Sequence, residues 1–241
     1  MKGAVMSKRI IQAVVIAASV LFVPFAYAQS PDGPVTAATV ALNRQMAEQG
    51  SASAQFTMGF LYERGNGVVA DLAVARDWYL KSATQGEAKA QFNYGVLCAL
   101  GKGGPVDNAA ALLWMTKSAE QGYAPAQNNV AVMYDEGTGV AKNAKMAASW
   151  YRKAAEGGNV SAQVNLASML RTGRGAERNF EESAKWYRKA AEAGNQGAQE
   201  RLSYLYSIGQ GVPKDLAQSE KWKTAAMTTP GAPVAIANKV E

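Results

Sequence analysis

Three asparagines and one arginine are the polar residues whose spacing most clearly points to a binding chemistry. Asn93, Asn129, Asn165 and Arg201 follow one another at intervals of 36 residues. Asparagine is a poor residue for a helix interior, so its repetition within predicted helices needs another reason. Amide side chains hydrogen-bond a peptide backbone, and an arginine binds a carboxylate. The row therefore predicts a site for an extended peptide, with an asparagine ladder between helices, or plain solvation, as the alternative.

The composition excludes several kinds of catalytic site. The chain of 241 residues contains no histidine, which excludes Ser-His-Asp and Cys-His systems, a histidine base and histidine metal ligands. The one cysteine, Cys98, cannot form an intrachain disulfide. Other units place tyrosine or leucine at its position, which indicates a buried small apolar residue and not a reactive thiol. We expect no enzymatic activity, no metal and no cofactor.

A second polar row consists of lysines placed three residues after each of four tryptophans. Its members are Lys81, Lys117, Lys153 and Lys189. One interpretation is a basic stripe for an anionic partner. The favoured alternative is a set of solvated lysines in the last turn of a helix, where a cation interacts well with the helix dipole.

The elements that position these rows follow from a period of 36 residues kept through five units. All five tryptophans obey it: Trp78, Trp114, Trp150, Trp186 and Trp222. The same step separates the Gly-x-Gly pairs that begin at residues 65, 101, 137, 173 and 209, and the Ala-Gln pairs that begin at 54, 90, 126, 162 and 198. A period of this size indicates a stacked repeat protein. Regular placement favours the tryptophans as core residues over a row that stacks on a ligand.

Each unit reads as two helices, A and B, joined by the Gly-x-Gly turn. In the third unit, Ala126, Val130, Met133 and Tyr134 share one helical face of helix A, and glycine then ends that helix. An aspartate or asparagine in every unit predicts the N-cap of helix B. These residues are Asp71, Asp107, Asn143, Asn179 and Asp215. The residue three before each tryptophan is always small, which lets neighbouring helices pack closely.

The N-terminal 28 residues have the pattern of a secretory signal peptide. Lys2, Lys8 and Arg9 precede an apolar run, and Ala26-Tyr27-Ala28 supplies a cleavage site. We expect a mature protein that begins at Gln29, is periplasmic or secreted, and is not inserted in the membrane; an uncleaved anchor is the alternative. Cleavage lowers the net charge from +6 to +3, a mild excess that does not indicate a nucleic-acid partner.

The repeated residues resemble the Sel-one-like repeat, a relative of the tetratricopeptide repeat. The resemblance rests on an Ala-x-x-x-x-Gly-x-x-Tyr-x-x-Gly-x-Gly-Val-x-x-Asp pattern and on the run from Trp186 to Gly194, and it covers residues 50–227. It implies an all-α, right-handed superhelical solenoid of five helix-turn-helix repeats. It also implies an adaptor or scaffold that binds a protein or peptide. Some relatives are cysteine-rich and were proposed to act on β-lactams, but this chain lacks their cysteines and the serine β-lactamase motifs.

The resemblance further implies where a partner binds and how the chain is divided. Helix A lines the concave groove of the related fold, which places the asparagine–arginine row there, flanked by Lys89, Val96, Val132 and Tyr204. The predicted segments are 1–28 signal peptide, 29–35 disordered linker, 36–49 capping helix, 50–227 repeats and 228–241 disordered tail. We expect a monomeric, exported protein-interaction scaffold. A cell-envelope enzyme or binder that acts on peptidoglycan or β-lactams is the alternative.

Overall fold

A computed structural model describes residues 35–228, which form helices connected by short turns and contain no strand. The helices, in chain order, are α1 Ala37–Glu48, α2 Ala52–Arg64, α3 Leu72–Thr84, α4 Ala88–Leu100, α5 Asn108–Glu120, α6 Ala124–Glu136, α7 Ala144–Glu156, α8 Val160–Thr172, α9 Phe180–Glu192, α10 Gln196–Ile208 and α11 Leu216–Thr228. The predicted A helices are α2, α4, α6, α8 and α10, and the B helices are α3, α5, α7, α9 and α11. The predicted all-α class and the five helix pairs are confirmed.

The described chain forms two compact units. The first lies within residues 1–133 and 137–141 and contains α1 to α5 and most of α6. The second lies within residues 134–136 and 142–241 and contains the last turn of α6 together with α7 to α11. Within each unit a helix packs against the helices before and after it in sequence, as α3 does on α2 and α4, and α10 on α9 and α11. The core of each unit therefore grows by nearest-neighbour packing, as in other repeat proteins.

The helix boundaries follow the predicted capping residues. The side chains of Asp71, Asp107, Asn143 and Asn179 accept hydrogen bonds from backbone N–H groups in the first turn of their B helices, and Asp215 does the same for α11. The first glycine of each Gly-x-Gly pair lies in the left-handed region at the end of helix A, with φ between 64° and 76°. Glycine adopts this conformation without the steric cost of a Cβ.

The second glycine of the pair has a different role, which the sequence did not indicate. A Cβ on Gly175 would meet the carbonyl oxygen of Ala144 at 2.0 Å, and one on Gly211 would meet that of Phe180 at 2.0 Å. In the first compact unit, Gly103 of the second repeat approaches the Leu72 carbonyl in the same way. Each of these carbonyls belongs to the first residue of the B helix in the preceding repeat. The second glycine thus lets the turn of one repeat contact the preceding repeat through its backbone.

The tryptophans lie at the edge of the core and not at its centre. Trp150 and Trp186 are each 8% exposed, and Trp78 and Trp114 pack against core clusters while partly exposed. The residue after each of the first four tryptophans is buried more deeply. These residues are Tyr79 (0%), Met115 (1%), Tyr151 (3%) and Tyr187 (3%). The last repeat has Lys223 at this position, with 61% of its side chain exposed, as its terminal place in the array predicts.

The Ala-Gln pair joins each A helix to the helix before it. The amide nitrogen of Gln91 donates to the carbonyl oxygen of Ala83 near the end of α3, at 3.2 Å. The glutamines of the other four repeats do the same for the carbonyls of Ala47, Ala119, Ala155 and Ala191. Each of these carbonyls also accepts a hydrogen bond from the backbone N–H of the glycine three residues later. The glutamine amide therefore adds a second, inter-helix hydrogen bond at each junction.

Several sequence predictions fall on residues that the structure does not describe. The signal peptide and nearly all of the linker and tail lie outside residues 35–228. Helix α1 falls within the predicted capping segment, but Leu42, aligned with the tryptophans, is 58% exposed and does not replace their packing, whereas Ala47 is 1% exposed. None of the helices within the described range has the length and apolar character needed to cross a membrane.

Candidate protein-binding site

The predicted row occupies one position of the A helices. Asn93, Asn129, Asn165 and Arg201 are each the sixth residue of a 13-residue helix. Their exposure differs from repeat to repeat, however. Asn129 is buried, Asn93 and Asn165 are half-buried, and Arg201 is exposed. Equivalent sequence positions therefore do not give equivalent access to a partner.

In the first unit, Asn93 belongs to a polar network between helices. The Tyr79 hydroxyl donates to the Glu63 carboxylate at 2.7 Å, and the Asn93 side chain is also hydrogen-bonded to Tyr79. Burial, followed by the negative charge of Glu63, raises the pKa of Tyr79 well above its ordinary value, while the Asn93 hydrogen bond acts in the opposite direction. This network connects α2, α3 and α4, which is what the structural-ladder alternative predicts for Asn93.

Asn129 and its neighbours are covered. Asn129 is 3% exposed, and its amide oxygen lies 3.5 Å from the amide nitrogen of Asn128, itself 2% exposed. Val96 and Val132, expected to flank the row, are 3% and 7% exposed, whereas Lys89 is half-buried. Burial of Asn129 does not suit direct contact with a peptide, because a partner would first have to displace the surrounding side chains. The expectation that the whole row binds a peptide stays a prediction.

The second unit presents the most exposed section of the predicted surface. Arg201, Tyr204 and Ile208 on α10 are spaced i, i+3 and i+7 and therefore share one face of the helix. Arg201 is exposed, Tyr204 is 52% exposed and Ile208 is 47% exposed. A cation, an aromatic ring and an aliphatic side chain thus lie side by side in contact with solvent. The repeat period does not indicate Ile208, whose place in this group follows from the i, i+7 spacing on the same helix.

The lysine row covers the tryptophans. The ammonium groups of Lys81, Lys117, Lys153 and Lys189 lie 4.2–4.4 Å from the ring centroids of the tryptophans three residues earlier. At this distance a cation is attracted to the face of an indole. All four lysines are exposed, so each shields a ring at the edge of the core. Neither sequence interpretation of this row, a basic stripe or solvated lysines, included the stacking, although the i, i+3 spacing could have indicated it.

Cys98 behaves as a buried core residue, as predicted. It is 0% exposed, and burial raises the pKa of its thiol. The guanidinium of Arg76 donates to its sulfur at 3.3 Å. Because a reactive cysteine needs an accessible thiolate, this environment favours an inert thiol.

Comparison with known families and structures accounts for these geometries. A model of the Sel1 repeat matches residues 52–87, 88–123, 124–159, 160–195 and 197–222. The chain belongs to the Sel1 repeat family. The matched segments cover the five helix pairs, so the predicted Sel-one-like resemblance is confirmed. Repeats of this family form helical solenoids that generally serve as protein-interaction scaffolds.

Two solved structures are similar to the chain with a TM-score of 0.76. The protective antigen c5321 of uropathogenic Escherichia coli strains, which displays an SLR fold, is 40% identical over 78% of this chain and 40% of its own. A Sel1 repeat protein from Oxalobacter formigenes is 29% identical over 91% of this chain and 84% of its own. The present chain thus spans about two fifths of the length of the antigen.

A more distant structure shares only the fold. The immunity protein PA5088 from Pseudomonas aeruginosa is 19% identical over 89% of this chain and 80% of its own, with a TM-score of 0.51. A comparison with curated proteins gave no match.

Proposed function

We propose that this protein is an exported scaffold that binds a protein or peptide partner through the solvent-exposed face of its A helices. The observation that carries the proposal is the exposed group of Arg201, Tyr204 and Ile208 on α10. Tyrosine and arginine are the residues most enriched where binding energy concentrates in protein interfaces. A folded monomer gains nothing from leaving a tyrosine and an isoleucine about half exposed on one helical face, whereas a partner that covers them removes apolar area from water.

The predicted row contributes to this surface unequally. Arg201 supplies the charged contact and Tyr204 the aromatic one, while the half-buried Asn165 of the same unit is assigned to its margin. Lys89 lies in the other unit and is not assigned to this surface. Asn93 links helices through its hydrogen bond to Tyr79, and Asn129 is buried, so neither is assigned to the contact surface. The partner is therefore expected to lose most affinity when the α10 residues are changed.

Export to the periplasm or out of the cell belongs to the same proposal. It is supported by the basic start, the apolar run and the Ala-x-Ala site that ends at Ala28. The proposed mature protein is a monomer. Its partner would then be an envelope or extracellular protein.

Affinity capture with matched variants tests the binding surface. Tagged wild-type protein, the variant Arg201→Ala/Tyr204→Ala and the control Lys189→Ala/Leu216→Ala are incubated with envelope extract, and bound proteins are identified by mass spectrometry. The control removes one cation and one exposed aliphatic residue, Leu216 being 67% exposed, away from α10. Because loss of a central aromatic or arginine commonly costs about 2 kcal/mol or more, the test variant should lose the partner by tenfold or more while the control retains it.

Two outcomes contradict the proposal. If both variants retain the partner equally, the exposed face of α10 is not the binding surface. If the wild-type protein turns over nitrocefin or a muropeptide, the envelope-enzyme alternative replaces the scaffold. Thermal melting of each variant checks that the fold is retained.

A further inference from the structure

A groove in the second unit lies apart from the A-helix face. It runs between α9, the loop that follows α10 and the beginning of α11. It has two lobes of about 890 Å³ and 490 Å³, both lined by Arg188 and Pro213. Each lobe falls within the size range of ligand sites, roughly 300–1,000 Å³. Neither lobe is lined by Arg201, Tyr204 or Ile208, so the groove is independent of the surface proposed above.

The groove carries an excess of cations. The cationic residues that line it are Arg178, Lys185, Arg188, Lys214 and Lys221. The carboxylates that line it are Glu181, Glu192 and Asp215. The Asp215 side chain already accepts a hydrogen bond from the backbone N–H of Gln218 as the cap of α11. The groove therefore favours a ligand with negative charge.

Comparison of successive repeats shows why Arg188 is the central cation. In the preceding repeat, Arg152 forms a salt bridge and a hydrogen bond with Glu182, 30 residues later. The residue 30 positions after Arg188 is Gln218, which lines the same groove but has no charge. Arg188 instead donates to the Tyr206 hydroxyl. Among residues 35–228, no salt bridge includes Arg188.

We propose that this groove binds an acidic segment of a partner protein, with Arg188 holding a carboxylate of the ligand at the place that Glu182 fills for Arg152. The lining also includes Phe180, Val212 and Trp222, which suit apolar side chains next to the carboxylate. Glu181 and Glu192 repel a uniformly charged polyanion, since like charges side by side are unfavourable. A peptide with acidic residues separated by apolar ones fits both features.

Fluorescence anisotropy with a defined probe tests the proposal. The probe is a fluorescein-labelled heptapeptide in which glutamate alternates with leucine, and the comparison peptides have glutamine or lysine in place of glutamate. Purified protein should bind the glutamate peptide in preference to the other two. Because the groove is open to solvent, raising the salt concentration should weaken binding through screening.

Three variants and one control localise the site. Arg188→Gln removes the cation, and Gln218→Glu supplies the internal carboxylate that the preceding repeat has. Each should weaken binding of the glutamate peptide about tenfold or more, as loss of a charge-assisted hydrogen bond implies. Arg188→Lys keeps the charge but loses the bidentate hydrogen-bonding geometry of arginine. Its affinity for the glutamate peptide should lie between those of wild type and Arg188→Gln. The control Arg152→Gln removes an equivalent arginine that is already paired, and should change the affinity less than twofold.

Each contrary result overturns the proposal. If Gln218→Glu leaves binding of the glutamate peptide unchanged while circular dichroism shows an intact fold, the carboxylate is not held at Arg188. If the glutamine peptide binds as tightly as the glutamate peptide, the groove does not select for carboxylate side chains. If wild type binds phosphatidylglycerol vesicles but not the peptide, and Arg188→Gln abolishes that binding, the groove recognises a membrane surface instead. Loss of the Arg201/Tyr204 surface does not affect any of these readouts, so the two proposals fail separately.

Discussion

A glutamine amide does two tasks where one repeat meets the next. The Gln91 side chain donates to the Ala83 carbonyl and accepts a hydrogen bond from the Gln121 amide at 2.8 Å. The Gln85 amide donates to the Gln55 amide oxygen in the same way, at 2.7 Å. Gln163 lacks this second partner because Ala193 occupies the position of the donor, and its buried amide oxygen accepts no hydrogen bond within the described residues. A buried acceptor without a partner costs free energy.

The substitution Ala193→Gln should therefore stabilise the protein. Residue 193 precedes Gly194 at the end of α9 and is exposed, so the new side chain can reach Gln163 as Gln121 reaches Gln91. The expected gain in the free energy of unfolding is about 0.5–1.5 kcal/mol, measured by urea denaturation. Ala193→Glu serves as the control, because a carboxylate cannot donate to the amide oxygen. Equal effects of the two substitutions would show that the hydrogen bond does not form.

The Arg152–Glu182 pair predicts a pH dependence. The hydrogen bond from Arg152, partly opposed by burial, lowers the pKa of Glu182. A lowered folded-state pKa gives stability that is present above the unfolded value of about 4.3 and is lost as pH falls through the folded value. The side chains are 41% and 29% exposed, so Arg152→Gln should cost only about 0.5–1 kcal/mol at pH 7.

Urea unfolding at several pH values checks this expectation. The difference between wild type and Arg152→Gln should shrink as the pH falls below about 4. A difference that persists unchanged in strong acid would indicate that Arg152 stabilises the fold through packing and not through the charge of Glu182.

At the scale of elements, turns and caps repeat more strictly than surfaces do. Each A helix ends at a glycine with positive φ, and each B helix begins at an aspartate or asparagine cap. The two glycines of the turn contribute differently, because only the second approaches the backbone of the preceding repeat closely. The glycine before each A helix, such as Gly158, has positive φ but open space around its Cα.

Gly175→Ala and Gly158→Ala should separate these two requirements. Both residues have positive φ, 72° and 83°, so each substitution should cost about 1–2 kcal/mol for the left-handed conformation. Only at position 175 would the new methyl group also lie 2.0 Å from the Ala144 carbonyl oxygen. Gly175→Ala should therefore lower the free energy of unfolding clearly more than Gly158→Ala, measured by urea denaturation. Equal losses would mean that the repeats do not touch at this turn.

At the scale of the whole molecule, one repeat is used five times with different surfaces. The cations Arg178, Lys185 and Arg188 gather in the fourth repeat, and their equivalents in the first are Ala70, Asp77 and Leu80. Such variation lets a repetitive backbone carry separate binding regions without changing its core. Under the proposed function, a partner would contact one part of the array and not every repeat alike.

The proposed export predicts where the mature protein begins. Protein isolated from its native host or from an expressing bacterium should begin at Gln29, because Ala26-Tyr27-Ala28 forms the cleavage site. Intact-mass measurement of periplasmic and secreted fractions checks this. An unprocessed N-terminus recovered in the membrane fraction would contradict it and would indicate an anchor.

Much of the fold was predictable from single residues in the repeat. Aspartate or asparagine at the N-caps, glycine at the helix ends and apolar spacing all act within a few residues of chain, so their effects are visible locally. The burial of Cys98 was predictable for a related reason, since other repeats place large apolar or aromatic residues at its position. The binding row was less predictable, because Asn129 is 3% exposed whereas Arg201, at the same helical position, is exposed.

The sequence by itself determined the period, the two helices of each repeat and the residues that begin and end them, because these depend on local backbone chemistry. Only the tertiary structure decided which polar residues face solvent, since burial is set by side chains from other helices. It placed Asn93 beside Tyr79 and left Arg188 in a groove where no carboxylate among residues 35–228 forms a salt bridge with it. These contacts depend on how neighbouring helices pack, and a sequence pattern does not specify that packing.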